Sequence, residues 1–399
     1  MTDKGAGKQR WWTLGAACSL HAILIGAGYM SLPPMALRIA AEGWALQDVE
    51  RAWTLLPLGS APAAGVTALL LRFIDERKLL ALASIIGSIT LLMRAAVVTY
   101  PQYAMSLAAY GIATGIVLTL LTVRVGRAFS DRQSGLAQAL FFSSYAVGAA
   151  ISLLGAEQIA ASFGGWRSTQ IFWGSLALIF SFWALTQSDK VEAYRSVGFS
   201  LPVEAAPRFR AFRYAATYAA YVGGYLGLSN FLPTALRQIG WPPVLADAAL
   251  ASSTIGFIVG ALLWGVLTDR KGRQHRTFSM TMALTSAMLL LAWALAIEGQ
   301  IWAASLSIFA IGLCSGGMSL YFSLLMTDPF FSGQNQTRVV ANATAASYLG
   351  GFSIPFVVTF FTAGQPTFLA PIAFAASIAS AALFLPKAAS MPVVAADIA

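Results

Sequence analysis

Long apolar runs alternate with short polar connectors along the whole chain. Twelve of these runs reach the length at which a helix spans bilayer hydrocarbon, about 20 residues. They fall at about 12–37, 51–72, 78–98, 102–127, 134–162 and 168–187. After a polar segment at 188–210 they resume at about 211–236, 246–268, 275–297, 300–327, 337–362 and 367–386. The pattern predicts an all-α membrane protein with twelve transmembrane helices. An even number puts both termini on one side.

The pattern also repeats. Pro34-Met35-Ala36-Leu37-Arg38 returns 199 positions later as Pro233-Thr234-Ala235-Leu236-Arg237, and Gly28 maps onto Gly227 at the same offset. The pair Gly43-Trp44 has a counterpart in Gly240-Trp241, and Ser144-Tyr145-Ala146-Val147-Gly148 in Ser347-Tyr348-Leu349-Gly350-Gly351. Two parallel six-helix bundles, 1–187 and 211–399, joined by a linker at 188–210, explain this. Their interface near the bilayer midplane is the expected substrate site.

Composition decides the solvent. The chain is 58% hydrophobic and only 10% charged, against about 25% charged for a soluble domain. Its polar groups could not cover its surface in water, so the lipid bilayer is its partner. The net charge of +9 does not signal nucleic acid, because the cations sit in short loops between apolar runs. Of the 25 lysines and arginines, Arg38, Arg51, Arg167 and Arg237 fall in loops on the side opposite the termini, and Arg94 lies inside a span. The rest fall on the side of the termini, which predicts cytoplasmic ends and an inner (plasma) membrane location. The first apolar run is too long for a cleaved signal peptide and reads as a retained helix. Cys18 and Cys314 lie in apolar spans without metal or disulfide spacing. There is no Walker motif, catalytic triad or metal cluster, so no cofactor and no enzymatic activity are expected.

Between the eighth and ninth runs lies a knot of charge, Gly265-Val266-Leu267-Thr268-Asp269-Arg270-Lys271-Gly272-Arg273-Gln274-His275-Arg276. It resembles the signature loop of the major facilitator superfamily, Gly-x-x-x-Asp-Arg-x-Gly-Arg. The first-half partner, Leu71-Arg72-Phe73-Ile74-Asp75-Glu76-Arg77-Lys78, keeps the acid and the cations but lacks both glycines. Arg127-Ala128-Phe129-Ser130-Asp131-Arg132-Gln133-Ser134-Gly135-Leu136-Ala137 and Phe163-Gly164-Gly165-Trp166-Arg167 are also similar to superfamily stretches. The resemblance implies alternating access by two rocking bundles, with helices 4 and 10 as rocking elements and helix 7 beside a central cavity. It also implies a cytoplasmic gate formed by Gly265, Asp269, Arg270, Gly272 and Arg273. In the first half, Asp75 would pair with Arg124 near the inner end of helix 4, or that arginine merely meets headgroups. Helix 10 lacks such an arginine, and Arg338 is the expected substitute against Asp269.

Candidate cavity groups follow from polarity within spans. Tyr214, Tyr218, Tyr221, Tyr225 and Ser229 share one face of helix 7. A tyrosine in lipid leaves its hydroxyl unpaired away from the interface, so the stripe is either a ligand-bearing face or packing with hydroxyls bonded to backbone. Tyr214 sits at the interface instead. Asn230, Gln138, Tyr145, Asn342 and Tyr348 are further polar candidates, with interhelical bonding the alternative. His21 is either a carrier of a coupling proton (H+) or a neutral ring bonded to a neighbouring helix. Arg94 is expected to snorkel outward or to pair with Glu157. No carboxylate lies mid-span in helix 1, 4, 7 or 10, which disfavours a cationic substrate. The resulting expectation is a monomeric secondary transporter of a small organic anion or an aromatic-bearing metabolite. Efflux of lipophilic drugs and a non-transporting sensor of the same fold are the alternatives.

Overall fold

Local chemistry starts or stops several of the helices. Thr99 and Gln102 form a reciprocal capping box, and the Asp75 carboxylate accepts from the Arg77 N–H at the start of another helix. Gly164 ends a third with φ +93°, a left-handed conformation that costs glycine little. The computed structural model describes residues 3–45, 48, 49, 52–129, 133–186, 208–271, 273–331, 334–362 and 369–387. Among these are twelve helical spans and no strand. They are α1 (3–40), α2 (Leu55–Leu70), α3 (Glu76–Arg94), α4 (Tyr100–Ala128), α5 (Ser134–Phe163) and α6 (Trp166–Thr186). Then follow α7 (Arg208–Gln238), α8 (Pro243–Lys271), α9 (Gln274–Ile297), α10 (Ile301–Met326), α11 (Gln334–Thr362) and α12 (Leu369–Phe384). Six of them, α1, α4, α5, α8, α9 and α10, are long and apolar enough to cross a membrane by length and composition.

Most bounds lie within a few residues of the expected ones. The first helix begins earlier, at Asp3, and is irregular. It winds as a π-helix over His21–Ala27 and breaks at Ser31. Pro33 and Pro34 have no N–H for the carbonyls of Tyr29 and Met30, which accounts for the break. α10 tightens to a 3₁₀ turn over Gly316–Ser319. α7 already starts at Arg208, inside the expected connector; residues 187–207 lie outside the described set.

The same packing scheme occurs twice. α1 packs on α5, α2 on α4, α3 on α4 and α6; correspondingly α7 packs on α11, α8 on α10, α9 on α10 and α12. The first six helices meet the last six where α2 lies against α11 and α5 against α8. Close approach depends on glycine at equivalent crossings. A Cβ on Gly148 would lie 1.9 Å from the Ala22 carbonyl, and one on Gly350 would lie 2.3 Å from the Ala219 carbonyl. Outward faces carry Met105, Leu154, Ile179, Phe182, Ile255, Leu349, Phe356 and Phe360, all exposed. Such a belt is unsuited to water and suited to lipid.

Candidate functional site

At the end of the bundle where α1 starts and α12 ends, the two sets of helices are tied together. α8 crosses α5 at paired glycines: a Cβ on Gly265 would sit 2.9 Å from the Gly135 carbonyl. The close crossing brings Asp269 onto the first turn of α5. Gly135 N–H donates to Oδ1 at 2.9 Å and Leu136 N–H to Oδ2 at 2.8 Å. These are orphan donors of a helix N-terminus, where the helix dipole also favours a negative charge. Charge-assisted bonds of this kind contribute about 1.5–3 kcal/mol each. The Ser134 and Ser323 hydroxyls meet at 2.9 Å, and Arg127 bridges Glu76 at 2.9 Å to Thr337 at 2.8 Å. Together these contacts seal the seam at this face.

The arginines expected in this gate are placed differently. Arg338 is exposed on the outward stripe of α11, and backbone amides hold Asp269 where that arginine was expected. Arg124 is buried within electrostatic range of Glu76 and Asp75, and its Nε has no hydrogen-bond partner. Asp75 itself caps α3. Arg273 is exposed at the start of α9. The Arg270 side chain and Gly272 lie outside the described residues.

Deeper in the bundle, tyrosines converge from both sets of helices. Tyr29 of α1, Tyr110 of α4, Tyr225 of α7 and Tyr348 of α11 all lie within electrostatic range of Tyr145 of α5. Tyr348 belongs to the last six helices but packs against the apolar core of the first six. Tyr29, Tyr145, Tyr225 and Tyr348 remain partly exposed although each sits well inside its helix. Together they form an aromatic and polar cluster where α1, α5, α7 and α11 meet. Serines rim it: Ser60 of α2 beside Tyr348, and Ser253 and Ser315 beside Tyr225. The sequence reading missed Tyr29 and Tyr110. The argument applied to the α7 tyrosines, a phenol in mid-span, points to both.

The tyrosine stripe of α7 divides. Tyr221 stacks on Tyr225 at 5.6 Å, beside the cluster. Tyr218 stacks on Tyr321 at 5.0 Å and meets Phe322 edge-on, so it belongs to an aromatic packing layer against α10. Tyr214 is buried near the terminal face and donates to Asp328 Oδ2 at 2.9 Å. Ser229 bonds back to its own helix at Tyr225 O, 2.9 Å. The Asn230 side chain lies outside the described residues. Asn342 is exposed on the stripe of α11 that carries Leu349, Phe356 and Phe360, which turns it away from the tyrosines.

His21 lies in the π-wound part of α1, buried, with its ring 4.3 Å from Phe141 and 5.8 Å from Tyr145. Its Nδ1 is 2.9 Å from the Phe141 carbonyl. A carbonyl only accepts, so Nδ1 carries the proton. Arg94 neither snorkels nor pairs with Glu157, which bonds Arg38 instead. It is fully buried: Nε donates to Ser106 Oγ and Nη1 to Gln170 Oε1, both at 3.2 Å. The guanidinium lies 5.0 Å over the Tyr110 ring, and Nη2 has no hydrogen-bond partner. Among the described residues no carboxylate pairs with it. Long-range partners from α4 and α6 were not visible in sequence.

A multi-pass helical membrane protein follows from these features, with a polar aromatic cluster where two sets of helices meet and a tied seam at one end. That is the architecture of a solute carrier. The chain belongs to the Major Facilitator Superfamily, whose sequence model matches residues 18–355. It is 26% identical over 377 residues to the 3-(3-hydroxy-phenyl)propionate transporter of Escherichia coli K12, covering 89% of this chain and 88% of that one. It is 30% identical over 147 residues to the probable nitrate/nitrite transporter NarK2 of Mycobacterium tuberculosis. That match covers 35% of each protein, so the chain spans about a third of this relative. Among solved structures, the proton:xylose symporter XylE shares the fold with a TM-score of 0.76 at 13% identity, over 94% of this chain and 96% of the other. FucP in its outward conformation gives 0.72 at 15% identity, over 94% and 98%.

Proposed function

We propose that the chain is a secondary transporter that moves a small organic anion or aromatic-bearing metabolite by alternating access. Two bundles, 1–187 and 211–399, joined by a linker at 188–210, rock about the tyrosine cluster. The observation that carries the reading is the convergence of Tyr29, Tyr110 and Tyr145 with Tyr225 and Tyr348, because a site shared by both sets is remade when they move. The positive-residue asymmetry favours cytoplasmic termini in an inner (plasma) membrane. The tied seam is then the cytoplasmic gate, and its opening requires Asp269 to leave α5.

An anion is favoured by Arg94, whose charge stands over Tyr110 without a carboxylate partner among the described residues. Phenol hydroxyls and ring faces suit an aromatic acid, and one relative carries such an acid in its name. His21, one ring contact from Tyr145, is the proposed proton-coupling group. The test is uptake of radiolabelled 3-(3-hydroxyphenyl)propionate by proteoliposomes, with nitrate and xylose as competitors, at imposed pH gradients. Saturable uptake that collapses with the gradient is expected. Equal uptake by protein-free vesicles overturns the substrate class. Gradient-independent uptake removes the proton and His21.

A further inference from the structure

The backbone ladder of α1 is interrupted on both sides of a short stretch. His21–Ala27 winds as a π-helix, Gly28–Met30 returns to α, and the helix breaks at Ser31 ahead of Pro33 and Pro34. Tyr29, the α1 member of the tyrosine cluster, sits in that stretch. Its carbonyl has no N–H to bond at Pro33. With its own ladder incomplete, the stretch is placed by what packs against it.

Two contacts flank Tyr29, and both lead to Arg94. On one side Gln170 Nε2 of α6 donates to Ser31 Oγ at 3.2 Å, and Ser31 Oγ donates to the Gly28 carbonyl at 3.2 Å. Gln170 Oε1 accepts from Arg94 Nη1 at 3.2 Å. Arginine only donates, so the amide oxygen must face it and the amide nitrogen is left for Ser31. On the other side the Tyr110 hydroxyl donates to the Leu24 carbonyl in the π-wound part. The same phenol packs directly on Gly28, where a Cβ would lie 2.4 Å from its oxygen. The Arg94 guanidinium lies 5.0 Å over that ring, with Nε on Ser106 of the same helix at 3.2 Å.

A planar guanidinium sets the directions of its partners as a lysine ammonium would not. A cation within a span is costly, and the fold itself does not demand one here. α9, which takes the place of α3 in the second set, buries Thr281, Thr285 and Ser286 but no cation. We propose that Arg94 is a positioning residue for Tyr29. Through Gln170 and Ser31 on one side and Tyr110 on the other, it fixes α1 between Leu24 and Ser31. It thereby aims the Tyr29 phenol at the oxygen-bearing head group of the substrate. Arg94 itself is 0% exposed and touches no substrate. The inference rests on the proposed transport of a small organic anion.

Two measurements test it. Ser31→Ala removes one hydroxyl from the relay, Gln170→Met removes the amide, and both leave the charge in place. Each should raise the KM for uptake of 3-(3-hydroxyphenyl)propionate by about fivefold or more, the worth of one hydrogen bond, with Vmax unchanged. Tyr29→Phe should do the same, and Ser31→Ala added to it should change nothing further, because both act through one phenol. Additive effects overturn the proposal, as does a fall in Vmax at native KM, which a merely structural role would give. Arg94→Lys keeps the charge and loses the fork, so native KM in that variant also overturns it. The second measurement needs no transported substrate. Tyr29→Cys and Tyr225→Cys, each with Cys18 and Cys314 replaced by serine, are labelled with a hydrophilic methanethiosulfonate reagent. Gln170→Met and Arg94→Lys should each change the labelling rate at position 29 by about fivefold or more and leave position 225 as it was. No change at 29, or equal changes at both positions, overturns the positioning role. A chain that does not carry the probe rejects the proposed substrate, and the labelling alone then decides the role of Arg94.

Discussion

Asp269 holds Gly135 by the backbone: the carboxylate of α8 accepts the N–H of the first turn of α5 at 2.9 Å, with Leu136 supplying a second bond at 2.8 Å. Both bonds come from backbone N–H groups at the start of α5, so they depend on the acid's charge and on close helix approach. Asp269→Asn retains one acceptor and loses the charge. The expected loss is about 1–2 kcal/mol of contact between the two sets of helices, within the range for a helix N-cap. Uptake should slow while the protein still folds. Native transport kinetics in this variant would remove the gate assignment.

Gly135→Ala tests the same tie without touching the charge. Its Cβ would lie 2.6 Å from Asp269 Oδ1 and 3.1 Å from the Gly265 carbonyl, so the crossing must widen. Faster solvent access to the seam is expected, read as cysteine labelling at position 138. Labelling as slow as in the native chain would show that the crossing tolerates the methyl group.

These two residues also show what was legible in the sequence. Gly265 and Asp269 stood out because charge and glycine interrupt apolar runs, and the helices themselves followed from run length. The acid's partner was not legible, since backbone N–H groups leave no mark in composition and the eye searches for an arginine. Asn342 and Tyr348 differ by six positions on one helix, yet one faces outward and the other the tyrosines; only helix phase against neighbours decides that. Arg94 looked like a snorkelling residue because Ser106 and Gln170 come from distant parts of the chain.

Gly148 makes the α1–α5 contact possible. Gly148→Ala places a methyl group 1.9 Å from the Ala22 carbonyl, which is backbone and cannot rotate aside. Overpacking of this kind costs about 1–3 kcal/mol. Gly15→Ala is the control, because a Cβ there meets nothing within 4 Å. It should be neutral or stabilising by up to about 1 kcal/mol. Thermal melts in detergent should separate the two by several degrees; equal melts would mean that α1 shifts freely.

Glu42, in the loop beyond α1, bonds Arg167 and accepts from Trp166 Nε1 at 3.1 Å. The Arg167 guanidinium, then the Trp166 N–H, hold its carboxyl below the usual range, against a small opposing effect of burial. A depressed folded pKa stabilises above the unfolded value of about 4.3 and ceases to do so as pH falls through the folded value. Melting temperatures of the native chain and Glu42→Gln should therefore differ by a constant amount from pH 7 to about pH 5, then converge in more acid solution. A gap that persists at the acid end would assign the effect to packing instead of charge.

Asp328 ties three helices at the terminal face. Its side chain is 1% exposed; Arg210 Nε donates to Oδ2 at 2.7 Å, and Tyr214 donates to the same oxygen at 2.9 Å. Phe330 N–H donates to Oδ1 at 3.1 Å, and Arg210 reaches on to the Lys387 carbonyl beyond α12 at 3.0 Å. Asp328→Ala strands the arginine and the phenol together, with an expected cost of about 3 kcal/mol, the low end for breaking a buried pair because Arg210 keeps some solvent. Arg210→Met added to Asp328→Ala should cost less than it does in the native chain, since no counter-charge remains to lose. A double-mutant cycle by thermal or denaturant melting measures the difference, expected at about 1 kcal/mol or more. Additive effects would show that the pair contributes no coupling and that Tyr214 alone fixes α7 to α10.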